Sequence, residues 1–365
     1  MRFLETARSV GTATLAVIGS LLPNFKDTTV SRGLNYHYYF SPPASGKPTL
    51  LLVHGFPSLA VDWHPQINYF KQKGYGLVVP DQLGYGGTDK PKESKAYVHS
   101  RLAQDLVDII DHENVTDVIA IGHDWGARTV SFLANLHSDR FLGFGFLAVG
   151  YVAPNSIGDA IEELRNSSIA NIGYETFGYW SVVRLISPHP ILIEWFYREF
   201  FSAPDAPKVI ANHLEAFFNE LYAKDGRLWR FNMGPTGAIR VWIESDTSTP
   251  RITSYADDQW KFHEQIFRKY TLDGPLNFYR VNLNGDQKED DKLVPLENYE
   301  IKKPVFFGGA REDYVVVYWA QEASTRQFCP NLTVVNFDEN HWVPSQAPKE
   351  VNQALEKWIT GVVLA

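Results

Sequence analysis

One aspartate stands between two glycines at a position that could carry a nucleophile. The run Gly122-His123-Asp124-Trp125-Gly126 has the G-x-S-x-G spacing of a nucleophile elbow, with Asp124 in the place of the serine. A carboxylate is already ionised near neutral pH, because its free pKa is about 3.9. It can attack an electrophilic sp3 carbon without a base and form an alkyl ester. The pattern therefore favours the opening of epoxides or carbon–halogen bonds over peptidase or esterase chemistry.

A second motif supplies candidate donors for an oxyanion. His54-Gly55-Phe56-Pro57 follows an apolar run, and a hole of this kind takes one N–H from such a loop and one from the residue after the nucleophile. The predicted donors are the backbone amides of Phe56 and Trp125. In an aspartate mechanism the oxyanion forms on Asp124 itself, when water attacks the ester carbonyl. The hole therefore serves the second half of the reaction.

A histidine and an acid follow the nucleophile in the chain order nucleophile, acid, histidine. Since Asp124 needs no deprotonation, His341 is free to activate a water molecule. Asp313 is predicted to hold the imidazole of His341 in the correct tautomer. Glu312 and Asp338 are the competing carboxylates for that role.

Apolar runs and helical periodicity describe the elements that would position these residues. Strands are predicted at 34–40, 49–53, 77–81, 118–121, 141–149, 304–308 and 332–335, and helices at 101–112, 209–222, 254–270 and 348–359. The pattern indicates an α/β fold in which a mostly parallel sheet is flanked by helices, with a helical lid inserted after the sixth strand. Residues 30–154 and 291–365 would form the core, and residues 155–290 the lid.

The first 29 residues are predicted to be an N-terminal extension. The apolar run 15–22 ends at Pro23 and is too short to span a bilayer, which needs about 20 apolar residues. We interpret it as a helix lying on the protein or on a membrane surface, in preference to a cleaved signal peptide.

These motifs together resemble the α/β-hydrolase-fold epoxide hydrolases. The matching stretches are His54-Gly55-Phe56-Pro57, 80–89, 122–127, 274–280 and His341-Trp342. The resemblance implies the hydrolase fold, a vicinal diol product, and two lid tyrosines that hydrogen-bond the epoxide oxygen. Tyr279 matches one of them. Tyr174 is the candidate for the other, with Tyr179 and Tyr151 as alternatives.

Two departures accompany the resemblance. Asn340 precedes the histidine where the family usually has glycine, and residues 1–29 match nothing assignable.

Two alternative functions are also compatible with the sequence. A haloalkane or haloacid dehalogenase would use the same nucleophile with Trp125 as a halide donor, although Phe56 lacks the second side-chain donor of that class. A ligand receptor of the same fold would bind without turnover.

The amino-acid composition limits the classes of molecule that this protein could bind. The net charge of −8 argues against nucleic-acid binding, and the single cysteine, Cys329, excludes an intrachain disulfide and fits a reducing compartment. No metal-ligand spacing or dinucleotide fingerprint occurs, so no cofactor or metal is expected. The expected partners are a small apolar epoxide and water. The expected location is the cytoplasm, with weak membrane association through the N-terminus.

Overall fold

A central sheet organises the computed structural model, which describes residues 19–156, 161–180, 200–255 and 257–365. Within these ranges the strands are β1 (Phe25–Thr29), β2 (Asn35–Ser41), β3 (Thr49–Val53), β4 (Gly76–Pro80), β5 (Val118–His123), β6 (Phe141–Leu147), β7 (Val305–Ala310) and β8 (Leu332–Phe337). They form one sheet in the order β1-β2-β4-β3-β5-β6-β7-β8. The pairs β1–β2 and β2–β4 are antiparallel and the others parallel. The predicted mostly parallel sheet is confirmed.

Helices follow most of the parallel strands, as crossover connections require. In the described ranges they are α1 (His64–Gln72), α2 (His99–His112), α3 (Trp125–Leu136), α4 (Ile161–Ile172), α5 (Ala206–Asn212), α6 (Leu214–Leu221), α7 (Trp229–Asn232), α8 (Ala238–Glu244), α9 (Asp257–Tyr270), α10 (Asn277–Leu283), α11 (Asp286–Asp291), α12 (Tyr318–Phe328), α13 (Val343–Gln346) and α14 (Pro348–Trp358). Helices α4 to α11 lie between β6 and β7, and we call residues 148–304 the β6–β7 insertion.

Both faces of the sheet are buried. Leu51 and Val53 of β3 face a core that includes α2, α3 and the insertion. Leu50 and Leu52, which alternate with them, face a second core that includes α1 and α14. All five residues of β3 are buried, and this explains why the strand is a continuous apolar run rather than an alternating one.

The N-terminal boundary of the sheet differs from the prediction. Strand β1 pairs with β2, so residues 25–29 belong to the sheet and the strand predicted at 34–40 is its second. Only Thr28 of β1 is buried, and an edge strand of this kind carries no apolar alternation that a sequence reading could detect. Residues 15–18 of the predicted surface helix lie outside the described residues, whereas residues 19–21 are helical and Leu21 and Leu22 are buried. Among those described, no helix has both the length and the apolar character needed to cross a membrane.

A second difference lies in the insertion. The helix predicted over 209–222 is two helices, α5 and α6, because His213 between them leaves the helical region with φ −123° and ψ 39°. The apolar spacing continues through this break, so periodicity alone predicts one helix.

Candidate active site

Asp124 occupies a sharp turn between β5 and α3. Its backbone has φ 53° and ψ −124°, a conformation that a side-chain-bearing residue adopts at a cost of about 1–3 kcal/mol. The flanking glycines make the turn sterically possible. A Cβ on Gly122 would lie 2.4 Å from the carbonyl oxygen of Gly126, and a Cβ on Gly126 would lie 2.1 Å from that of Val53. The turn therefore presents the carboxylate at the carboxyl end of the central strand.

The loop after β3 contacts this carboxylate directly. The backbone amide of Phe56 donates a hydrogen bond to Asp124 Oδ1 at 2.7 Å. The close approach depends on Gly55, where a Cβ would lie 2.3 Å from the same oxygen. The amide of Trp125, the second predicted donor, begins α3 directly after Asp124. Both predicted oxyanion donors thus lie beside the nucleophile.

His341 lies between the two carboxylates that the sequence analysis selected. Its Nδ1 is 2.6 Å from Asp313 Oδ2, and its Nε2 is 3.4 Å from Asp124 Oδ2. The other oxygen of Asp313 accepts the backbone amides of Val315 and Val316 at 3.0 and 2.8 Å, which fixes the orientation of that carboxylate.

The competing acids lie elsewhere. Glu312 is exposed, and Asp338 is an exposed residue that pairs with Arg311 at 2.6 Å. Of the three acids considered for the role, Asp313 is therefore the one that the structure brings to His341.

Charge on the two aspartates dominates the titration of His341. Burial opposes the charged imidazole, but the charges and hydrogen bonds of Asp313 and Asp124 outweigh burial and raise the pKa of His341 to about 10. For Asp124, desolvation is outweighed by His341, His123 and the Phe56 amide, so its pKa lies below the usual value. The resting pair is therefore an imidazolium beside a carboxylate.

His123 is a neighbour that the sequence analysis did not assign. Its Nε2 lies 2.9 Å from the carbonyl oxygen of His341, so this nitrogen carries the donated hydrogen. Burial and the charge of His341 lower the pKa of His123 to about 4. A neutral His123 therefore holds the backbone of His341 without adding charge to the site.

Two cavities meet at Asp124. The larger is about 350 Å³ and is lined mainly by apolar and aromatic side chains, including Trp125, Trp180 and the partly exposed Trp319. The smaller is about 20 Å³ and reaches His341. Its volume suits one water molecule, which needs roughly 10–15 Å³ of such space. The carboxylate thus has an apolar chamber on one side and a water-sized chamber on the other.

Two buried tyrosines line both cavities, Tyr279 of α10 and Tyr179. Their ring centroids are 6.1 Å apart, and Tyr279 lies edge-on to the rings of Trp125 and Phe56 at 5.1 Å. Burial raises the pKa of both phenols well above the usual value, and the charge of Asp124 adds to the effect. Both hydroxyls therefore stay protonated at neutral pH.

The candidate for the second tyrosine, Tyr174, lies away from Tyr279. Tyr174 lines neither cavity, and the guanidinium of Arg230 lies 4.6 Å over its ring. Tyr151 lines the larger cavity, but its hydroxyl donates to Tyr299 O at 3.0 Å and accepts from Asn135 at 2.8 Å. The structure therefore places Tyr179, the other alternative, beside Tyr279.

Trp180 is a further cavity residue that no motif indicated. It stacks on Trp125 with ring centroids 5.0 Å apart and an interplanar angle of 23°. Its place beside the nucleophile depends on how the insertion folds over the sheet, and no local pattern in the sequence marks it.

Comparison with known proteins supports the same fold. The alpha/beta hydrolase fold family matches residues 48–171. Bifunctional epoxide hydrolase 2 of Mus musculus is 26% identical over 332 residues, which cover 91% of this chain and 54% of that protein. Epoxide hydrolase A of Mycobacterium tuberculosis is 27% identical over 332 residues, 87% of this chain and 92% of that protein. The chain has the α/β-hydrolase fold. The resemblance to the epoxide hydrolases of this fold, inferred from the motifs, is confirmed.

A solved structure agrees with this fold. Epoxide hydrolase A from Mycobacterium thermoresistibile aligns with a TM-score of 0.70 and 24% identity, over 92% of this α/β-hydrolase chain and 98% of that one. At this identity the likeness supports the fold alone. The chain spans about half the length of the mouse relative, 54% of it, so the activity is argued from the site.

Proposed function

We propose that the protein is an epoxide hydrolase, which converts an epoxide and water to a vicinal diol through an alkyl ester on Asp124. One observation carries the proposal: an ionised carboxylate at the elbow lies between a paired histidine and two buried tyrosines. The epoxide hydrolase relatives support it, since they match about nine-tenths of the chain.

In the first half-reaction, an oxygen of Asp124 attacks one epoxide carbon. The carbon–oxygen ring bond breaks, and its electron pair goes to the epoxide oxygen. The hydroxyls of Tyr279 and Tyr179 supply a hydrogen bond and a proton to that oxygen. Phenols suit this role because they are protonated at neutral pH and can donate as the alkoxide develops.

In the second half-reaction, water hydrolyses the ester. Alkylation makes Asp124 neutral, which removes one of the two charges that raise the pKa of His341. The imidazolium can then release its proton to the tyrosinate left by the first half-reaction, which restores the tyrosine. The neutral imidazole acts as the general base for a water in the smaller cavity, while Asp313 holds its other nitrogen. Hydroxide adds to the ester carbonyl, and the amides of Phe56 and Trp125 stabilise the oxyanion. Collapse breaks the bond to the diol oxygen, which takes the proton of the Asp124 carboxyl group, so the diol is released and the carboxylate beside the imidazolium is regenerated.

Isotope placement tests this mechanism. In a single turnover in 18O-water, the diol should contain no label, because its new oxygen comes from Asp124, and the label should enter the Asp124 carboxylate. Mass spectrometry of the diol and of the peptide containing Asp124 measures both. Direct labelling of the diol would reject the ester mechanism. D124N serves as the control, since an amide cannot form the ester.

Halide release is the second candidate. Trp125 and Trp180 stack beside Asp124, and both indole rings are buried. Indole N–H groups could hold a departing halide. The Phe56 ring offers no donor and packs against Phe201 and Tyr279. Halide release from chlorinated or fluorinated substrates, with styrene oxide inert, would select this function instead.

We also propose the finer assignments of substrate, lid and location. The apolar lining of the 350 Å³ cavity supports a small apolar epoxide, and the β6–β7 insertion, which contributes Tyr179 and Tyr279, would act as the lid. Burial raises the pKa of the Cys329 thiol to about 12, which makes this single cysteine unreactive and is compatible with a cytoplasmic location. Cell fractionation with an antibody to the chain tests the location and the proposed weak membrane association.

A further inference from the structure

Asn340 ties the loop that carries His341 to the β6–β7 insertion. The residue is 4% exposed, and its Nδ2 donates to the carbonyl oxygen of Ala223 at 3.1 Å. Its Oδ1 accepts the backbone amide of Trp342 at 3.1 Å. The side chain of Asn340 therefore links the residue after His341 to the residue before it, and links both to the insertion.

Trp342 makes a second attachment to the same segment. Its Nε1 donates to the carbonyl oxygen of Leu221 at 2.7 Å. Its ring stacks on Tyr222 with centroids 4.0 Å apart and an interplanar angle of 15°. The residues on either side of His341 thus hold three consecutive residues of the insertion, Leu221 to Ala223.

The segment that follows packs tightly on this loop. A Cβ on Gly226 would lie 3.0 Å from the Cβ of Asn340 and 2.6 Å from Glu312 O. The ring of Trp229 lies 5.3 Å from that of His341. Residues 221–229 also contribute Leu221 and Trp229 to the wall of the 20 Å³ cavity beside His341. The insertion therefore shapes the chamber in which the hydrolytic water would lie.

The nucleophile is held by different contacts. Asp124 takes its position from the turn between β5 and α3 and from the Phe56 amide, and both belong to the core. Loosening the Asn340 contacts would move His341 and the water chamber relative to Asp124. The Phe56 contact and the elbow would stay in place.

We propose that Asn340 is a positioning residue for the second half-reaction. It aligns His341 and the water chamber for ester hydrolysis, while ester formation proceeds without it. The inference rests on the proposed epoxide hydrolase function.

Two rate constants separate the half-reactions. With styrene oxide as the probe, rapid quenching and intact-protein mass spectrometry follow the formation and decay of the Asp124 ester on the full chain. N340A should slow ester decay by roughly 10- to 100-fold, since misplacing a catalytic group by about 1 Å costs this much. Ester formation should change little. In the steady state kcat and KM should then fall together while kcat/KM is preserved, because kcat/KM reports only the steps up to alkylation.

A matched control removes a similar bond elsewhere. Gln259 of α9 donates its side-chain amide to Asp62 Oδ1 at 2.8 Å, which ties the insertion to the core away from the His341 loop. Q259A should leave the ester decay rate unchanged. W342F keeps an aromatic ring over Tyr222 but removes the bond to Leu221, so it should slow decay in the same direction as N340A. It tests the inference independently if N340A fails to fold.

The results of these experiments distinguish a failure of the positioning role from a failure of the proposed function. Normal ester decay in N340A or W342F would overturn the inference, as would a loss of kcat at constant KM, which indicates fewer folded molecules rather than a misplaced base. If the wild-type protein forms no ester with a panel of epoxides, the proposed function itself fails. Slow decay in N340A and W342F, but not in Q259A, supports the positioning role.

Discussion

In the proposed mechanism, the charge of Asp124 affects the two half-reactions in opposite ways. The carboxylate charge supports the attack on carbon and at the same time keeps the imidazole protonated, with a pKa of about 10. Conversion of the carboxylate to a neutral ester removes part of that field. In this mechanism His341 becomes a base only after Asp124 has reacted, because the two groups titrate as a coupled pair.

The variant D124N tests this coupling. Asparagine removes the charge beside Nε2, so the pKa of His341 should fall below about 10, toward its ordinary value. The imidazole of D124N should then lose its proton at a lower pH than in the wild type. NMR titration of isotope-labelled histidine, assigned with H341Q, measures the shift. An unchanged pKa would show that Asp313 alone sets the titration.

The hydroxyl of Tyr179 can be tested against that of Tyr174. Y179F should lower kcat/KM for epoxides by roughly 100-fold or more, since a positioned proton donor contributes about 10²–10⁴-fold. Y174F removes a hydroxyl five residues away that lines neither cavity, and it should leave kcat/KM near the wild-type value. Steady-state kinetics on both variants decide between them, and equal losses would contradict the assignment of Tyr179.

Among the elements, the turn between β5 and α3 is the most tightly specified. Gly126 passes so close to β3 that any side chain would meet Val53 O at 2.1 Å. Helix α3 cannot move away, because its own residues pack in the core with Phe132 and Leu133 fully buried. The clashing atom is a backbone oxygen, so a change of side-chain rotamer cannot relieve the contact.

The variant G126A should therefore destabilise the fold by about 1–3 kcal/mol or more, as overpacking does. G361A is the matched control, because a Cβ there has nothing within 4 Å. It should be neutral, or stabilising by up to about 1 kcal/mol. Urea unfolding of both variants measures the difference, and wild-type stability in G126A would show that β3 and α3 can separate.

Strands and helices were predicted correctly where their burial produces a recognisable pattern of apolar residues in the sequence. The run Thr49–Val53 matches β3 residue for residue, because a strand buried on both faces is apolar throughout. Edge strand β1 and the break at His213 were missed, since pairing at an edge and a change of helix direction are set by distant contacts.

Across the whole molecule, a buried ion pair joins the core to the end of the insertion. Arg128 of α3 lies 3.1 Å from Asp291 of α11, and both side chains are at most 2% exposed. The carboxylate also accepts the amide of Asn155 at 2.8 Å. A pair so deeply buried is costly to break from one side, because the remaining charge keeps its desolvation penalty.

The single variants R128M and D291L should each destabilise the protein by about 3–5 kcal/mol, whereas the double variant R128M/D291L, which removes both charges, should cost much less. Denaturant unfolding of the two single variants and the double variant gives the coupling energy. Additive losses would show that the charges do not interact.

From the sequence alone came the candidate nucleophile with its glycines, the candidate oxyanion loop and the predicted pairing of His341 with Asp313. These assignments follow from short motifs in which steric limits on a turn and the order of chemical groups leave few choices. Only the tertiary structure revealed the position of Tyr179 beside Tyr279, the place of Trp180 beside Trp125, and the attachment of Asn340 to Ala223. Such contacts join residues from separate elements, and their proximity depends on how the insertion packs over the sheet. The spacing of residues along the chain does not reveal how the insertion packs.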